Sequence, residues 1–191
     1  MTNSLGPPTV DRRQLLRATG LALLTIMTPL GRMTPAAAQA AQTPLLNLTD
    51  REARTLAALA EALVPGATNA GIARYIDAQL ASDQPLLMLH YLDWPGALAG
   101  FYHDAIAALD TLAATQPTAA GSFADLPASD HTAIAGQLLG GAVEDWAGPP
   151  AFLVYFALRA DAVDVVFGTP EGFATLGVPY MAHIQPPEGW S

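Results

Sequence analysis

Histidines, carboxylates and hydroxyls are the groups from which this 191-residue chain could build chemistry. The four histidines, His90, His103, His131 and His183, stand far apart, and no Glu-x-x-His pair occurs. A di-metal site in a helical bundle needs such pairs on facing helices, because side chains three or four apart share a face. The histidines therefore read as structural or surface groups, although a single one suffices for an axial haem ligand. Glu144-Asp145 and Asp161 with Asp164 are the carboxylate sets to weigh. A catalytic pair needs an apolar pocket that splits its two pKa values. Nothing in the pattern marks one, and these acids read as a solvated face. Asp161 and Asp164, three apart, should share a helix side that reaches solvent or a partner. Ser122, Ser129 and Thr132 lie near His131, without the Gly-x-Ser-x-Gly turn that exposes a nucleophile. No phosphate-cradling or dinucleotide glycine motif is present, and Gly168-Thr169-Pro170-Glu171-Gly172 reads as a turn. The expectation is a chain with no catalytic, cofactor-binding or metal-ligating residue.

The chain has no cysteine. That excludes an iron–sulfur cluster, a thiolate zinc site, a covalently attached c-type haem and a cysteine nucleophile. Without disulfides, an exported domain must rely on its core.

The N-terminus carries a different kind of information. Asp11-Arg12-Arg13-Gln14-Leu15-Leu16-Arg17 precedes a mildly apolar run over residues 18–31 and then Ala36-Ala37-Ala38-Gln39-Ala40. Paired Arg12 and Arg13 followed by leucines resemble the twin-arginine export signal, a route that carries proteins already folded. Asp11 and Leu15 depart from the commoner Ser or Thr and Phe. The small residues Ala38 and Ala40 suit a signal peptidase, so residues 1–40 are expected to leave by cleavage after Ala40. The apolar run has 14 residues, short of the ~20 that span a bilayer, which argues against a permanent anchor. The expected location is the periplasm.

Removing residues 1–40 leaves 151, enough for one domain. Four arginines then face sixteen acids, a formal charge of −12, and there is no lysine. A nucleic-acid partner needs clustered cations to displace counterions, so none is expected. An anionic membrane surface is disfavoured on the same ground. Hydrophobic residues make up 51% of the chain and charged ones 13%, a composition that suits a subunit with a buried interface.

The elements that must position these groups read as helices. Thr49 and Glu52 form a capping box ahead of Leu56, Leu59, Ala60 and Leu63. Further helices are expected over 71–80, 86–92, 97–114, 128–139 (with Ser129 as cap) and 151–167. The last is apolar nearly all round and should be buried on most sides. No alternating strand run stands out. Residues 168–191 are rich in Gly and Pro yet carry Phe173, Leu176, Val178, Tyr180, Met181, Ile184 and Trp190, too apolar to lie free in solvent. The expected fold is all-α: a compact bundle of about five or six helices over residues 41–191, ending in an extended C-terminal arm (168–191).

The ordered set of segments carries a resemblance. Leu48-Thr49-Asp50-Arg51-Glu52, Leu63-Val64-Pro65-Gly66, Gly71-Ile72-Ala73-Arg74-Tyr75-Ile76-Asp77, residues 123–139, and the tail Phe167-Gly168-Thr169-Pro170-Glu171-Gly172-Phe173 with Leu176-Gly177-Val178-Pro179-Tyr180-Met181-Ala182-His183-Ile184 together look like the gluconate 2-dehydrogenase subunit 3 family. No one segment is specific by itself. The resemblance implies a non-catalytic accessory subunit. Its partner would be a large flavoprotein of the glucose–methanol–choline type that holds FAD and oxidises a sugar, sugar acid or alcohol. A cytochrome c subunit with haem c commonly carries the electrons on. The small subunit would supply the export signal read by the twin-arginine translocase, and the large one would travel with it. Phe173, Tyr180, Met181, His183 and Trp190 are the expected anchors to that partner, since aromatic residues dominate interface energetics. A transient export chaperone and a stand-alone periplasmic protein, using His183 or the carboxylates, stay open at this point.

Overall fold

The computed structural model describes residues 25–178, apart from 117, 119, 120 and 142. Among the described residues the chain forms two short strands, β1 (Ile26–Thr28) and β2 (Gly31–Met33), and nine helices. These are α1 (Pro35–Ala40), α2 (Asp50–Leu63), α3 (Ala67–Ala70), α4 (Ile72–Leu80), α5 (Met88–Tyr91), α6 (Leu98–Thr115), α7 (Ala128–Gly140), α8 (Ala151–Phe167) and α9 (Pro170–Thr175). A 3-10 turn, Phe123–Asp125, precedes α7. The all-α expectation holds. The helix count is higher than expected because breaks between residues 64 and 98 leave short pieces, and because α1 and α9 fall where no helix was expected.

Helix α2 is the hub, in contact with α4, α6, α7, α8 and the 3-10 turn. Its start follows from the capping box. The Thr49 hydroxyl accepts the Glu52 N–H at 3.3 Å, and the Glu52 carboxylate accepts the Thr49 N–H at 2.7 Å, so two orphan amides are satisfied together. Leu56, Leu59 and Ala60 then fall on one buried face. Asp110 of α6 ties that helix and the 3-10 turn to this hub: it accepts from Arg51 and Thr55 of α2 and from the Phe123 N–H at 2.8 Å. Beyond the turn, His131 of α7 donates to the Phe123 carbonyl at 2.8 Å and stacks on its ring, centroids 4.6 Å apart.

Four expectations are corrected. The hairpin β1–β2 occupies a stretch in which no strand was expected. Its Pro29-Leu30 turn is closed by Thr28, whose hydroxyl donates to the Gly31 carbonyl at 2.8 Å, and Ile26 packs on α4. A two-stranded ribbon is marginal alone, so this packing is what holds it. Ser129 does not cap α7; Pro127 precedes that helix without a side-chain cap bond, and Ser129 reaches Asp130 instead. The helix expected over 86–92 contracts to α5. The C-terminal arm is not extended from its start: residues 170–175 are helical.

Candidate partner interface

The expected anchors fall mostly beyond the described chain. Arg12, Arg13, Tyr180, Met181, His183 and Trp190 lie outside the described residues. Phe173 is described, half-buried on α9. Thr169 starts that helix by accepting the Gly172 N–H at 2.9 Å. Gly172 is needed there, because a Cβ would stand 2.4 Å from the Val166 carbonyl oxygen. The segment is therefore a tight corner that folds α9 back on the end of α8, which explains why its glycines are spaced as they are.

That corner walls a mostly apolar groove of about 610 Å³. It is lined by Pro35 and Ala36, by Pro65, Ala70 and Tyr75, and by residues 165–167 with Glu171, Gly172 and Thr175 of α9. Leu176 and Val178 continue from it, both exposed. A second apolar patch was missed in the sequence. Helix α8 buries one stripe (Val154, Leu158, Asp161, Ala162, Val165) and leaves Phe152 and Phe156 51% and 40% exposed on the other side. Their rings stack with centroids 6.1 Å apart, and Leu139 of neighbouring α7 is also exposed. Helix α8 is covered on most sides, as expected, and Phe152 and Phe156 mark the strip where that cover stops. Its mean hydropathy concealed the patch, since an all-round apolar helix has no polar side to reveal which face is outward.

Among the described residues, Asp161, His103, His131 and Ser122 all bond to neighbouring groups of the fold. Asp161, expected to reach solvent or a partner, is 1% exposed. It accepts the Met88 N–H at 2.8 Å and the Tyr102 hydroxyl at 2.9 Å, joining α8 to α5 and α6. Burial without a cation pushes its carboxyl up to about 7, against the pull of those two donors. Such a pKa suits acid–base work, but Asp161 lines none of the cavities of about 690, 610 and 350 Å³. Asp164 is also raised by burial. His103 pairs with Glu52 at 2.6 Å. Burial would raise Glu52, yet bonds from Thr49 and His103 outweigh it and hold that carboxyl low. Ser122 donates to Asp125 at 2.9 Å rather than to His131. No group of three metal-ligating side chains is found among the described residues, and none of their helices is long and apolar enough to cross a membrane.

The gluconate 2-dehydrogenase subunit 3 family matches residues 50–183, from the first residue of α2 into the C-terminal arm. The chain belongs to that family. Comparison with curated proteins and with solved structures gave no match. A subunit 3 chain is by its family description one component of a dehydrogenase complex, and the match covers the hub helix, the acid-tied α6 and α8, and the α9 corner. The dehydrogenase partner is what the exposed apolar surfaces of this subunit must be weighed against.

Proposed function

We propose that the chain is a non-catalytic accessory subunit that exports and stabilises a flavin-dependent dehydrogenase of the glucose–methanol–choline type. The family match over residues 50–183 carries this reading. The large subunit would hold FAD and oxidise a sugar, sugar acid or alcohol, and a cytochrome c subunit would take up the electrons. The leader with Arg12 and Arg13 would bring the folded pair to the twin-arginine translocase and into the periplasm. The acidic chain and its buried titratable groups support a role in packing rather than turnover.

Contact with the large subunit would run along α9 and the arm beyond it. Phe173 and the groove beside it, with exposed Leu176 and Val178, form an apolar edge, and Tyr180, Met181, His183 and Trp190 follow it in the sequence. The test is to tag the protein, express it with its genomic neighbours and purify it from periplasmic and membrane fractions. A flavin absorption band with a large co-purifying subunit is the expected result. A colourless protein, alone and stable, would overturn permanent membership and leave the transient chaperone.

A further inference from the structure

The residues expected to form the peptidase site are folded. Ala38 is fully buried within α1. The Ala40–Ala41 bond closes that same helix: the Ala41 N–H donates to the Ala37 carbonyl at 2.9 Å, and the Ala38 carbonyl accepts the Thr43 N–H at 3.1 Å. A signal peptidase takes residues such as Ala38 and Ala40 into pockets on one side of an extended strand, where side chains two apart share a face. On a helix, residues two apart are separated by roughly 200° and point away from each other. The bond is thus presented in the wrong shape, with one of its two recognition residues covered.

The segment is held at both ends. Upstream, Ile26 is 3% exposed and packs against α4, and the Pro35 carbonyl lies so close over Gly71 that a Cβ there would stand 2.2 Å away. Gly71 also has φ +84°, so no other residue fits that crossing comfortably. Downstream, Arg74 donates to the Thr43 carbonyl, and the Asp77 carboxylate takes the N–H groups of Leu46, Asn47 and Leu48 at 2.8–2.9 Å. Fraying at Ala40 alone does not free an extended strand. Hairpin and α1 must leave the core together.

We infer that residues 26–40 are a permanent part of the working domain and that the folded chain is not cut after Ala40. The inference rests on the export reading above, because a chain carried across already folded meets the peptidase in this state. Its consequence is a subunit whose leader is retained or is cut upstream of Ile26, with the α1 strap closing one wall of the apolar groove in the finished protein.

The experiment is to express the full chain, tagged at its C-terminus, in a bacterium with a twin-arginine translocase and to determine the N-terminus of the exported protein by intact mass and sequencing. A terminus at or before Ile26 is expected. A terminus anywhere from 27 to 41 overturns the inference. Ile26→Asp, which leaves Ala38 and Ala40 untouched, should release the strap and yield a product starting at Ala41; Ile26→Ala is the milder variant should the first not fold. An Arg12→Lys/Arg13→Lys chain that distributes like the original would refute the export reading alone. Shielding is then read on the purified full chain with elastase, which cleaves after small residues. Cutting within 36–40 should be at least roughly tenfold faster in Ile26→Ala than in the original, since cleavage follows the detached population. Equal rates overturn the shielding.

Discussion

Two carboxylates of opposite electrostatic sense, Asp161 in the core and Glu61 at the surface, set how this protein should respond to pH. Asp161 is raised to about 7 by burial, so the folded state holds its proton more tightly than the unfolded chain. The stability from that proton is complete below the ordinary carboxylate range and is lost as pH climbs through 7. Asp161→Asn keeps a neutral group of the same shape against Met88 and Tyr102. It should unfold like the original near pH 4 and be more stable at pH 8 by on the order of 3 kcal/mol, measured by urea titration at the two pH values. Glu61 behaves the other way. Burial would raise it, but the N–H groups of Gly66 and Thr68, at 2.7 and 2.9 Å, outweigh that and lower it. Its contribution is present at neutral pH and lost as pH falls through the carboxylate range. Glu61→Ala removes the acceptor of two amides at the start of α3, but water reaches this exposed site, so the cost should be about 0.5–1 kcal/mol at pH 7, shrinking towards pH 3.

Between elements, single acids replace the contacts that long apolar helices would make. Asp77 on α4, 3% exposed, binds three consecutive amides of residues 46–48, and Asn47 returns a bond to the Asp77 carbonyl at 2.9 Å. This fastens the stretch before α2 to the bundle and sets the register of the hub helix. Asp77→Ala should cost about 2–3 kcal/mol, because the buried Leu48 N–H and the part-buried N–H groups of Leu46 and Asn47 lose their acceptor. Amide exchange in residues 46–48 should accelerate before exchange in the core of α2, a pattern that a uniform loss of stability would not give. At the other end, Gly172→Ala should prise α9 from α8 at ~1–3 kcal/mol, the range for forced overpacking, with the loss read as a lower urea midpoint.

For the whole molecule, a charge of −9 on 191 residues favours repulsion between copies, while Phe152, Phe156, Leu176 and Val178 leave exposed apolar groups at the surface. If the arm provides the anchors, Tyr180→Ala with Trp190→Ala should weaken capture of the large subunit by ~2–4 kcal/mol, or roughly 30- to 1,000-fold, with the thermal midpoint of the isolated small subunit unchanged. A fall in midpoint with capture intact would place the arm on its own core instead. Size-exclusion chromatography with the purified large subunit reads the first quantity and calorimetry the second.

Local rules acting over three to eighteen residues were legible in the chain alone. The Thr49–Glu52 cap, the glycine and proline breaks, the apolar spacing of α2, α4 and α6, and the ordered segments of subunit 3 all report on neighbours along the chain, where periodicity and capping act. What depended on distant neighbours was decided only by the fold. Asp161 and Asp164 read as one solvated face, yet packing of α5 and α6 on α8 buries the first. Phe152 and Phe156 read as core, yet α8 has more apolar surface than its neighbours can cover. Residues 26–40 read as part of a leader, and only the fold reveals that Ile26 and Ala38 are buried and that the Pro35 carbonyl lies over the left-handed turn at Gly71. Burial is a property of the partners a side chain meets, and those partners are set by tertiary packing rather than by the residues beside it.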